Sequence, residues 1–327
     1  MRAISDSSAA LALGIALGMA AVPAAAASCD SSESFTLMLH GGFLEYEEEV
    51  GPPHRALFRQ LLESGREHLS KGGSALDVVV DAIAALEDSG ILDAGKGSIV
   101  NTAGFTETDA SLMDGRSGRS GAVAAMQRLK NPIRASRLVM EKTHHVLFAG
   151  ASGEQTLVGL GAARVEDPAR YFHEYVPPPA PSTHGPSRPE HGTVGAAALD
   201  RCGDLAAGTS TGGWPGKLPG RVGDSPIIGA STYADHRHAL SATGVGEYFI
   251  KRAATRDIAM RVEYLGTPLK RAADYVVKEL IGKQDGAEGA IIAIGKDGEI
   301  VVSSNGYGIL YGWVTQTGEI VVGTREP

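Results

Sequence analysis

From Ser34 onward the hydrophobic positions alternate between a spacing typical of strands and one typical of helices. Apolar residues at 35–39 predict a short strand, and His40-Gly41-Gly42 predicts a turn after it. Residues 54–70 have a helical pattern that Gly72-Gly73 closes. A second helix follows, with one buried stripe formed by Leu76, Val79, Val80, Ile83 and Leu86.

Two local patterns predict where helices begin. Ser74 with Asp77 three residues later resembles a capping box, in which side chains satisfy the free N–H groups of the first turn. Asn131-Pro132 predicts another start, with the asparagine as cap and the proline at the first position of a helix that runs to Met140.

The second half of the chain has short β-type runs, and Asp297-Gly298 is a hairpin signal between two of them. The predicted strands are 194–199, 205–208, 239–243, 289–294, 300–303 and 320–323, with helices at about 246–264 and 268–281. Hairpin strands with paired helices predict an α+β protein whose helices cover antiparallel sheets.

The N-terminus has the pattern of a secretory signal. Arg2 precedes an apolar stretch at 9–22 and a run of alanines that ends at Ala27. We therefore expect a signal peptide at 1–27 and an exported, periplasmic or secreted protein. A membrane anchor needs about 20 apolar residues, more than this stretch has. Cys29, just after the predicted cleavage, leaves a lipoprotein as the less favoured alternative.

A second segment of unusual composition lies at 176–190, where six prolines among serines predict an exposed, mobile linker. The net charge is −8 and no Lys/Arg-rich run occurs, so we expect no nucleic-acid partner. CxxC and HExxH motifs are absent, which gives a catalytic metal no visible ligand set. With two cysteines in all, Cys202 is expected to be free and buried.

Glycine makes up 43 of 327 residues, which predicts many tight turns and close backbone contacts. The densest stretch, 192–246, would suit a phosphate cradle, but neither GxGxxG nor GxxxxGK[ST] occurs in the chain. The stretch begins at Gly192-Thr193, where the linker meets a predicted strand. Because the phosphate-binding motifs are absent, we look for another function of this Gly-Thr pair.

Cleavage of the Gly192–Thr193 bond would give Thr193 a hydroxyl and an α-amine, a nucleophile with its own base. An α-amine has a pKa of about 7.7–8.0, so it is substantially neutral near pH 8. Without a Cβ, Gly192 tolerates a strained carbonyl that Thr193 Oγ1 could attack. A Gly-Thr pair alone carries little weight, because threonine is common in strands.

The surrounding motifs are far more specific: HGTVGAAALD, TSTGG, GRVGDSPIIGA and ATGVGE, with HGG and DASLMDG upstream. From residue 35 to the C-terminus the chain resembles the plant-type asparaginase / isoaspartyl peptidase family of N-terminal nucleophile hydrolases, with the linker as its variable part. The resemblance implies a four-layer αββα sandwich, cleaved into an α chain (28–192) and a β chain (193–327). It also implies a homodimer of processed protomers that hydrolyses β-aspartyl dipeptides and L-asparagine to L-aspartate.

The resemblance assigns catalytic roles where the motifs match. Thr193 matches the nucleophile, exposed by autoproteolysis after Gly192, and Thr211 matches the threonine that orients it. Thr243 and Gly244 match the oxyanion hole, where a hydroxyl and a main-chain N–H stabilise the tetrahedral oxygen.

Substrate binding is assigned in the same way. Arg221 and Asp224 match the clamp: a guanidinium can fork onto an α-carboxylate while a carboxylate takes the α-ammonium. Gly212 matches a main-chain contact to substrate, and Gly244 also borders the bound molecule. The resemblance implies no cofactor beyond a structural sodium, whose candidate carbonyls belong to Leu86, Glu87, Ser89, Leu92, Ala94 and Lys96.

Three departures from the family pattern occur. Asp93 stands where asparagine is usual, which adds a negative charge near the site if it is ionised. The segment 233–243 is one residue shorter than in bacterial relatives, at the HRH turn of His236–His238, and 43–46 replace the usual small residues after HGG. None of the three removes a matched polar group.

Two alternatives stay open. Glycosylasparaginase shares the threonine, clamp and oxyanion motifs, but it typically has TSTNG where this chain has Thr211-Gly212-Gly213. An exported binding protein could keep the fold without turnover. The presence of every matched polar group favours an enzyme.

Overall fold

Two β-sheets pack face to face between layers of helices. The computed structural model describes residues 34–44, 50–172, 192–306 and 308–327. The predicted signal peptide, Cys29 and the linker at 176–190 lie outside these described residues. In chain order the strands are β1 (Thr36–Leu44), β2 (Thr108–Asp114), β3 (Ser120–Met126), β4 (Leu147–Ala149), β5 (Val194–Leu199), β6 (Leu205–Thr211), β7 (Tyr233–Ala234), β8 (His238–Gly244), β9 (Gly289–Gly295), β10 (Ile300–Ser304), β11 (Gly308–Thr315) and β12 (Ile320–Gly323).

The larger sheet has the strand order β12-β11-β1-β5-β6-β2-β3-β4, and the smaller has β10-β9-β8-β7. All neighbouring strands of described residues pair antiparallel except β3 and β4. The α-helices are α1 (Pro52–Ser70), α2 (Ala75–Ser89), α3 (Pro132–Lys142), α4 (Gly150–Gly159), α5 (Pro168–Tyr171), α6 (Gly246–Arg252), α7 (Ala254–Leu265) and α8 (Leu269–Asp274), which continues into a π-helical turn at Tyr275–Ile281.

Side chains alternate between the two faces of each strand, and this alternation builds the hydrophobic cores between the layers. Leu37 and Leu39 of β1 pack against α1 and α2, whereas Met38 between them faces the smaller sheet. On the far side, Phe249 of α6 and Ile291 of β9 belong to the core between the smaller sheet and its helices. The predicted four-layer αββα sandwich is therefore confirmed.

The N-terminal HGG does not form the predicted turn. Strand β1 continues through it to Leu44, with a register shift between His40 and Phe43. Glycine is needed at position 42 because the main chain of β1 lies against Gly192: a Cβ at Gly42 would lie only 1.9 Å from Gly192 Cα. The motif therefore brings one strand directly against the residue before Thr193.

The helix starts are partly as predicted. Ser74 caps α2, since its Oγ accepts the Asp77 N–H at 3.1 Å. A helix does begin after Asn131, but this asparagine makes no capping bond; its Nδ2 donates to Asp88 of α2 at 3.1 Å. Glu87 caps α3 instead, because its Oε1 accepts the Ile133 N–H at 3.0 Å.

Three other expectations need correction. The stretch 246–264 is two helices, broken at Ala253, where φ is +48°. Strands β2, β3, β4, β7 and β11 were not expected; β2 and β3 consist largely of small or polar residues, which give a weak β pattern, and β4 and β7 span only three and two residues. Cys202 is exposed and disulfide-bonded, so the prediction of a free, buried thiol is wrong.

Candidate active site

Strand alternation places the three predicted threonines in the space between the sheets. In β5 and β6, Ala197 and Ala207 face the smaller sheet, so residues of the same parity, including Thr193 and Thr211, point the same way. In β8, Ala239 faces the larger sheet, and Thr243, four residues later on the same strand, points to the same side. Because β5 and β6 are antiparallel, with Val194 opposite Ser210, the start of one strand meets the end of the other.

Thr193 and Thr211 are directly hydrogen-bonded. Thr193 Oγ1 lies 3.0 Å from Thr211 Oγ1, and the Thr211 oxygen also accepts the Gly213 N–H at 2.9 Å. Both side chains are buried, with Thr193 at 8% and Thr211 at 2% exposure. The Gly213 N–H thus orients the Thr211 hydroxyl, and the Thr211 oxygen accepts the hydrogen bond that orients the Thr193 hydroxyl.

Thr243 and Gly244 border the same small cavity as Thr193. Thr243 Oγ1 accepts the Phe43 N–H at 3.4 Å, so its own hydroxyl hydrogen is available to another acceptor. Gly244 has φ of +138°, and a Cβ there would lie 2.4 Å from the Glu288 carbonyl oxygen. Glycine is therefore required beside Thr243.

The cavity offers about 20 Å³ to a water-sized sphere, roughly room for one water molecule. Its lining consists of Phe43, Gly192, Thr193, Gly213, Trp214, Thr243, Gly244, Val245 and Glu288. The structure therefore brings the predicted nucleophile, cleavage site and oxyanion residues together. Phe43, Trp214, Val245 and Glu288 line it as well, although sequence reasoning assigned them no role.

Arg221 and Asp224 meet at Gly246, two residues beyond the oxyanion pair. A Cβ at Gly246 would lie 2.6 Å from Asp224 Oδ1 and 3.2 Å from Arg221 Nη2. Arg221 forms a bidentate ion pair with Glu247, with Nε to Oε1 and Nη2 to Oε2 both at 3.0 Å. Sequence reasoning missed this partner, although Glu247 ends the quoted ATGVGE motif.

Asp224 is 5% exposed, and its Oδ2 has no hydrogen-bond partner among the described residues. Burial raises the pKa of this carboxyl to about 7, against the opposing charge of Arg221. A buried carboxylate without a full set of partners favours a cationic ligand that would complete them. This environment suits the predicted contact with an α-ammonium group.

Gly212 lies against Asp93, the position at which the chain departs from the family pattern. Gly212 N–H donates to the Asp93 main-chain oxygen at 2.9 Å, and Ile99 N–H donates to Asp93 Oδ1 at 3.0 Å. Burial raises the pKa of Asp93 to about 7. A Cβ at Gly212 would lie 2.0 Å from Asp93 Oδ1, so no side chain fits there.

A buried lysine supports the loop between TSTGG and the clamp. Lys217 is 3% exposed, and its Nζ donates to the Glu107 main-chain oxygen at 2.6 Å. The Glu107 carboxylate accepts the Gly220 N–H at 3.0 Å and the Asn101 amide at 2.9 Å. Sequence reasoning missed this unit, because nothing local in the sequence indicates that Glu107 meets residues beyond position 200.

The segment 86–96 turns back on itself after α2. Gly90 ends the helix with φ of +72°, and a Cβ at Gly95 would lie 2.7 Å from the Glu87 carbonyl oxygen. Three of the candidate carbonyls already accept hydrogen bonds: Leu86 from Ser89 Oγ, Leu92 from Ala94 N–H and Ala94 from Gly97 N–H. Across the four described ranges, His, Cys, Asp and Glu side chains nowhere form a group of three suited to a metal ion.

At the shortened segment, β7 and β8 form a hairpin. Asp235 Oδ1 accepts the N–H groups of both Arg237 and His238 at 2.8 Å, which closes the turn of 235–237. The turn lies at the opposite end of β8 from Thr243, so the shorter segment leaves the site geometry intact. Within the described ranges, every helix is too short or too polar to span a lipid bilayer.

Comparison with known proteins places this geometry in context. A family model described as asparaginase matches residues 33–324. An isoaspartyl peptidase of Salmonella typhimurium is 38% identical over 301 residues, covering 85% of this chain and 94% of that protein. An isoaspartyl peptidase of Escherichia coli is 40% identical over 269 residues, or 77% of this chain and 83% of its own length. A human isoaspartyl peptidase/L-asparaginase is 40% identical over 242 residues, 71% of this chain and 77% of that protein.

Proposed function

This chain belongs to the asparaginase family of N-terminal nucleophile hydrolases, and on that premise we propose that it hydrolyses β-aspartyl dipeptides and L-asparagine to L-aspartate, with autoproteolytically exposed Thr193 as nucleophile. One observation carries the proposal. The Thr193 hydroxyl lies 3.0 Å from the Thr211 hydroxyl, in a cavity that Thr243 and Gly244 also line.

Cleavage of the chain would come first. Thr193 Oγ1 attacks the Gly192 carbonyl carbon, its proton passes to the Thr193 nitrogen, and the C–N bond breaks as a C–O ester bond forms. Water then hydrolyses the ester and leaves a Gly192 carboxylate and a free Thr193 amine. The tight packing of Gly192 supports this step, since a Cβ there would lie 2.2 Å from the Gly41 oxygen.

Hydrolysis of substrate would follow the same chemistry. The Thr193 amine accepts the Oγ1 proton as Oγ1 attacks the side-chain carbonyl of the β-aspartyl group, and passes it to the leaving nitrogen. Thr243 O–H and Gly244 N–H stabilise the tetrahedral oxygen, an effect of about 3 kcal/mol for a well-placed donor. Water then attacks the acyl ester, releases L-aspartate and returns Thr193 to its starting state.

The small cavity fits a two-stage scheme. Gly192 forms part of the cavity wall beside Thr193. Release of the Gly192 carboxylate from this wall would make space for the aspartyl group beside Thr193. The clamp lies nearby, because Gly246, only two residues after Gly244, packs against both Asp224 and Arg221.

Glycosylasparaginase remains the alternative activity. The absence of space at Gly212 supports the isoaspartyl type, since an asparagine at this position would collide with Asp93 and Ser98. Rates of aspartate release from β-aspartyl dipeptides, ammonia release from asparagine and cleavage of glycosylated asparagine should be measured side by side. We expect the dipeptides to be the best substrates; a clear preference for glycosylated asparagine would overturn this assignment.

We also propose export and assembly as a homodimer of processed protomers. The disulfide at Cys202 supports export, because disulfides persist mainly in oxidising compartments. N-terminal sequencing of the α chain from periplasm and medium should give a start near residue 28. Sedimentation of the cleaved protein should give the mass of two protomers, and a single protomer would contradict the dimer.

A structural sodium ion at 86–96 completes the proposal, bound by main-chain carbonyls and playing no part in the reaction. The fold of this segment brings the Glu87 carbonyl close to Gly95. If sodium binds, NaCl should raise the melting temperature more than choline chloride at equal ionic strength. Equal melting temperatures in the two salts would contradict it.

A further inference from the structure

Strand β2 carries buried polar side chains that face the clamp loop, which we define as residues 217–225. Asp109 and Ser111 are 1% and 0% exposed, and as alternate residues of one strand they share a face. Asp109 lies opposite Thr211 of β6, whose side chain points into the space between the sheets. Buried polar groups are normally hydrogen-bonded, and both residues of this polar face have a partner in the clamp loop.

Ser111 holds the main chain directly after Asp224. Its Oγ donates to the Ser225 carbonyl oxygen at 2.5 Å, and both serines are 0% exposed. Because both groups are buried, loss of this hydrogen bond would leave the Ser225 carbonyl without this partner and without water to replace it. The bond joins residues 114 positions apart in the chain and ties the clamp loop to the larger sheet.

Asp109 contacts the residue directly before Asp224. Its Oδ1 accepts the Ala125 N–H at 2.7 Å. Burial raises the pKa of the Asp109 carboxyl to about 6, and the Gly223 N–H is among the groups that oppose this rise. A main-chain N–H opposes it by donating to the ionised carboxylate. Gly223 therefore lies against Asp109, and β2 contacts the chain on both sides of Asp224.

Glu107, just before β2, supports the other residue of the clamp. Its carboxylate accepts the Gly220 N–H, at 3.1 Å from Oε1 and 3.0 Å from Oε2, and Gly220 directly precedes Arg221. Contacts from this strand therefore follow the clamp loop from Gly220 to Ser225. They give a fixed support to the two residues proposed to bind substrate.

One carboxylate oxygen of Asp224 is left free for a ligand. Its Oδ2 has no hydrogen-bond partner among the described residues. The other oxygen, Oδ1, lies against Gly246, where a Cβ would be only 2.6 Å away. The direction in which Oδ2 points therefore depends on the main chain that Ser111 and Asp109 hold.

We infer that Ser111 is a positioning residue for substrate binding: through its hydrogen bond to the Ser225 carbonyl, it holds Asp224 where the carboxylate meets the substrate α-ammonium group. The inference rests on the proposed function. It does not extend to chain cleavage, because Thr193 attacks Gly192 within the chain and no α-ammonium group is bound in that step.

Ser111→Ala removes the hydroxyl hydrogen bond and adds no bulk to the core. KM for a β-aspartyl dipeptide should rise about three- to tenfold, the range expected for one lost hydrogen bond. We expect kcat to change less than about twofold and the chain to cleave at the wild-type rate, because the nucleophile and the oxyanion hole are untouched. A wild-type KM in Ser111→Ala would overturn the inference.

Ser136→Ala is the matched control. Ser136 is also 0% exposed, and its Oγ donates to the main-chain oxygens of Ala110 at 3.1 Å and Pro132 at 3.0 Å. It therefore contacts the same strand from α3 and is remote from the clamp loop. Both variants should lower the melting temperature, but Ser136→Ala should keep the wild-type KM. Equal increases in KM would show a general loss of stability and would overturn the inference.

A double variant tests whether Ser111 acts through Asp224. Once Asp224→Asn has raised KM, adding Ser111→Ala should raise it by less than about twofold, because changes that remove the same interaction are not additive. A further increase as large as that of Ser111→Ala alone would overturn the inference.

A crystal structure of the cleaved wild type with bound L-aspartate covers variants that fail to fold. Ser111 Oγ should lie within about 3.2 Å of the Ser225 oxygen, with the ligand nitrogen equally close to the Asp224 carboxylate. A Ser111–Ser225 separation beyond about 4 Å would overturn the inference. If the wild type neither cleaves nor hydrolyses dipeptides, the proposed function itself fails; if it does both and KM ignores Ser111, only the role of Ser111 fails.

Discussion

Arg221 and Glu247 form a two-pronged ion pair, with Nε to Oε1 and Nη2 to Oε2 both at 3.0 Å. The Arg221 side chain is 19% exposed and that of Glu247 49%. The pair uses one edge of the guanidinium and leaves Nη1 and the second Nη2 hydrogen for a ligand. Glu247 thus holds the residue proposed to bind the substrate α-carboxylate.

Glu247→Gln should loosen this support without altering the chemistry. Exposed ion pairs contribute about 0.2–1 kcal/mol, so KM for a β-aspartyl dipeptide should rise about two- to fivefold with kcat unchanged. Glu63→Gln is the matched control, because Glu63 pairs with Arg66 on the exposed face of α1. A variant with unchanged KM would show that Glu247 does not position Arg221.

Arg221 itself should be far more sensitive. Arg221→Ala removes the group proposed to fork onto the α-carboxylate, and Arg221→Lys keeps the charge but cannot fork. We expect KM to rise at least tenfold in both variants, and more in Arg221→Ala than in Arg221→Lys, with a smaller change in kcat. Steady-state kinetics with one dipeptide checks this, and an unaffected KM would count against the clamp.

Asp224 should give substrate binding a pH dependence. Burial raises the pKa of this carboxyl to about 7, so it is protonated below that pH and ionised above it. Only the ionised form attracts an α-ammonium group, so KM should rise as pH falls below about 7, by up to about tenfold per unit. In Asp224→Asn, KM should be high and nearly independent of pH between 5 and 8; a wild-type profile in that variant would exclude the contact.

Gly212 should not tolerate any side chain. In Gly212→Ala the new methyl group would lie 2.0 Å from Asp93 Oδ1 and 2.7 Å from Ser98 Cα, which must shift the TSTGG turn that holds Thr211. We expect at least a hundredfold loss of activity or failure of chain cleavage. Gly159→Ala is the control, since a Cβ there meets nothing within 4 Å on a helix, and it should be neutral. Wild-type activity in Gly212→Ala would contradict the packing described.

The sequence predicted what is local or repeated along the chain. The stripe of α2, its Ser74 cap and the Asp297-Gly298 hairpin depend on neighbours in sequence, and the structure contains all three. The threonines and the clamp followed from specific motifs, and the structure brings Thr193, Thr243 and Gly244 to one cavity.

Contacts between distant segments could not be predicted in this way. Glu87 caps α3 from a neighbouring helix, and His40 meets Ser241 across 200 residues, because tertiary packing rather than local pattern brings them together. HGG looked like a turn because glycines favour turns. Here the same glycines allow β1 to touch Gly192, a contact that has no local signal.

The identity of the new chain end tests the central claim most directly. Purified wild-type protein should separate into two chains, about 28–192 and 193–327, and Edman sequencing of the smaller should give Thr-Val-Gly-Ala. Thr193→Ala should stay one chain under the same conditions. A wild type that remains intact, or a smaller chain that begins at any other residue, would contradict Thr193 as the nucleophile.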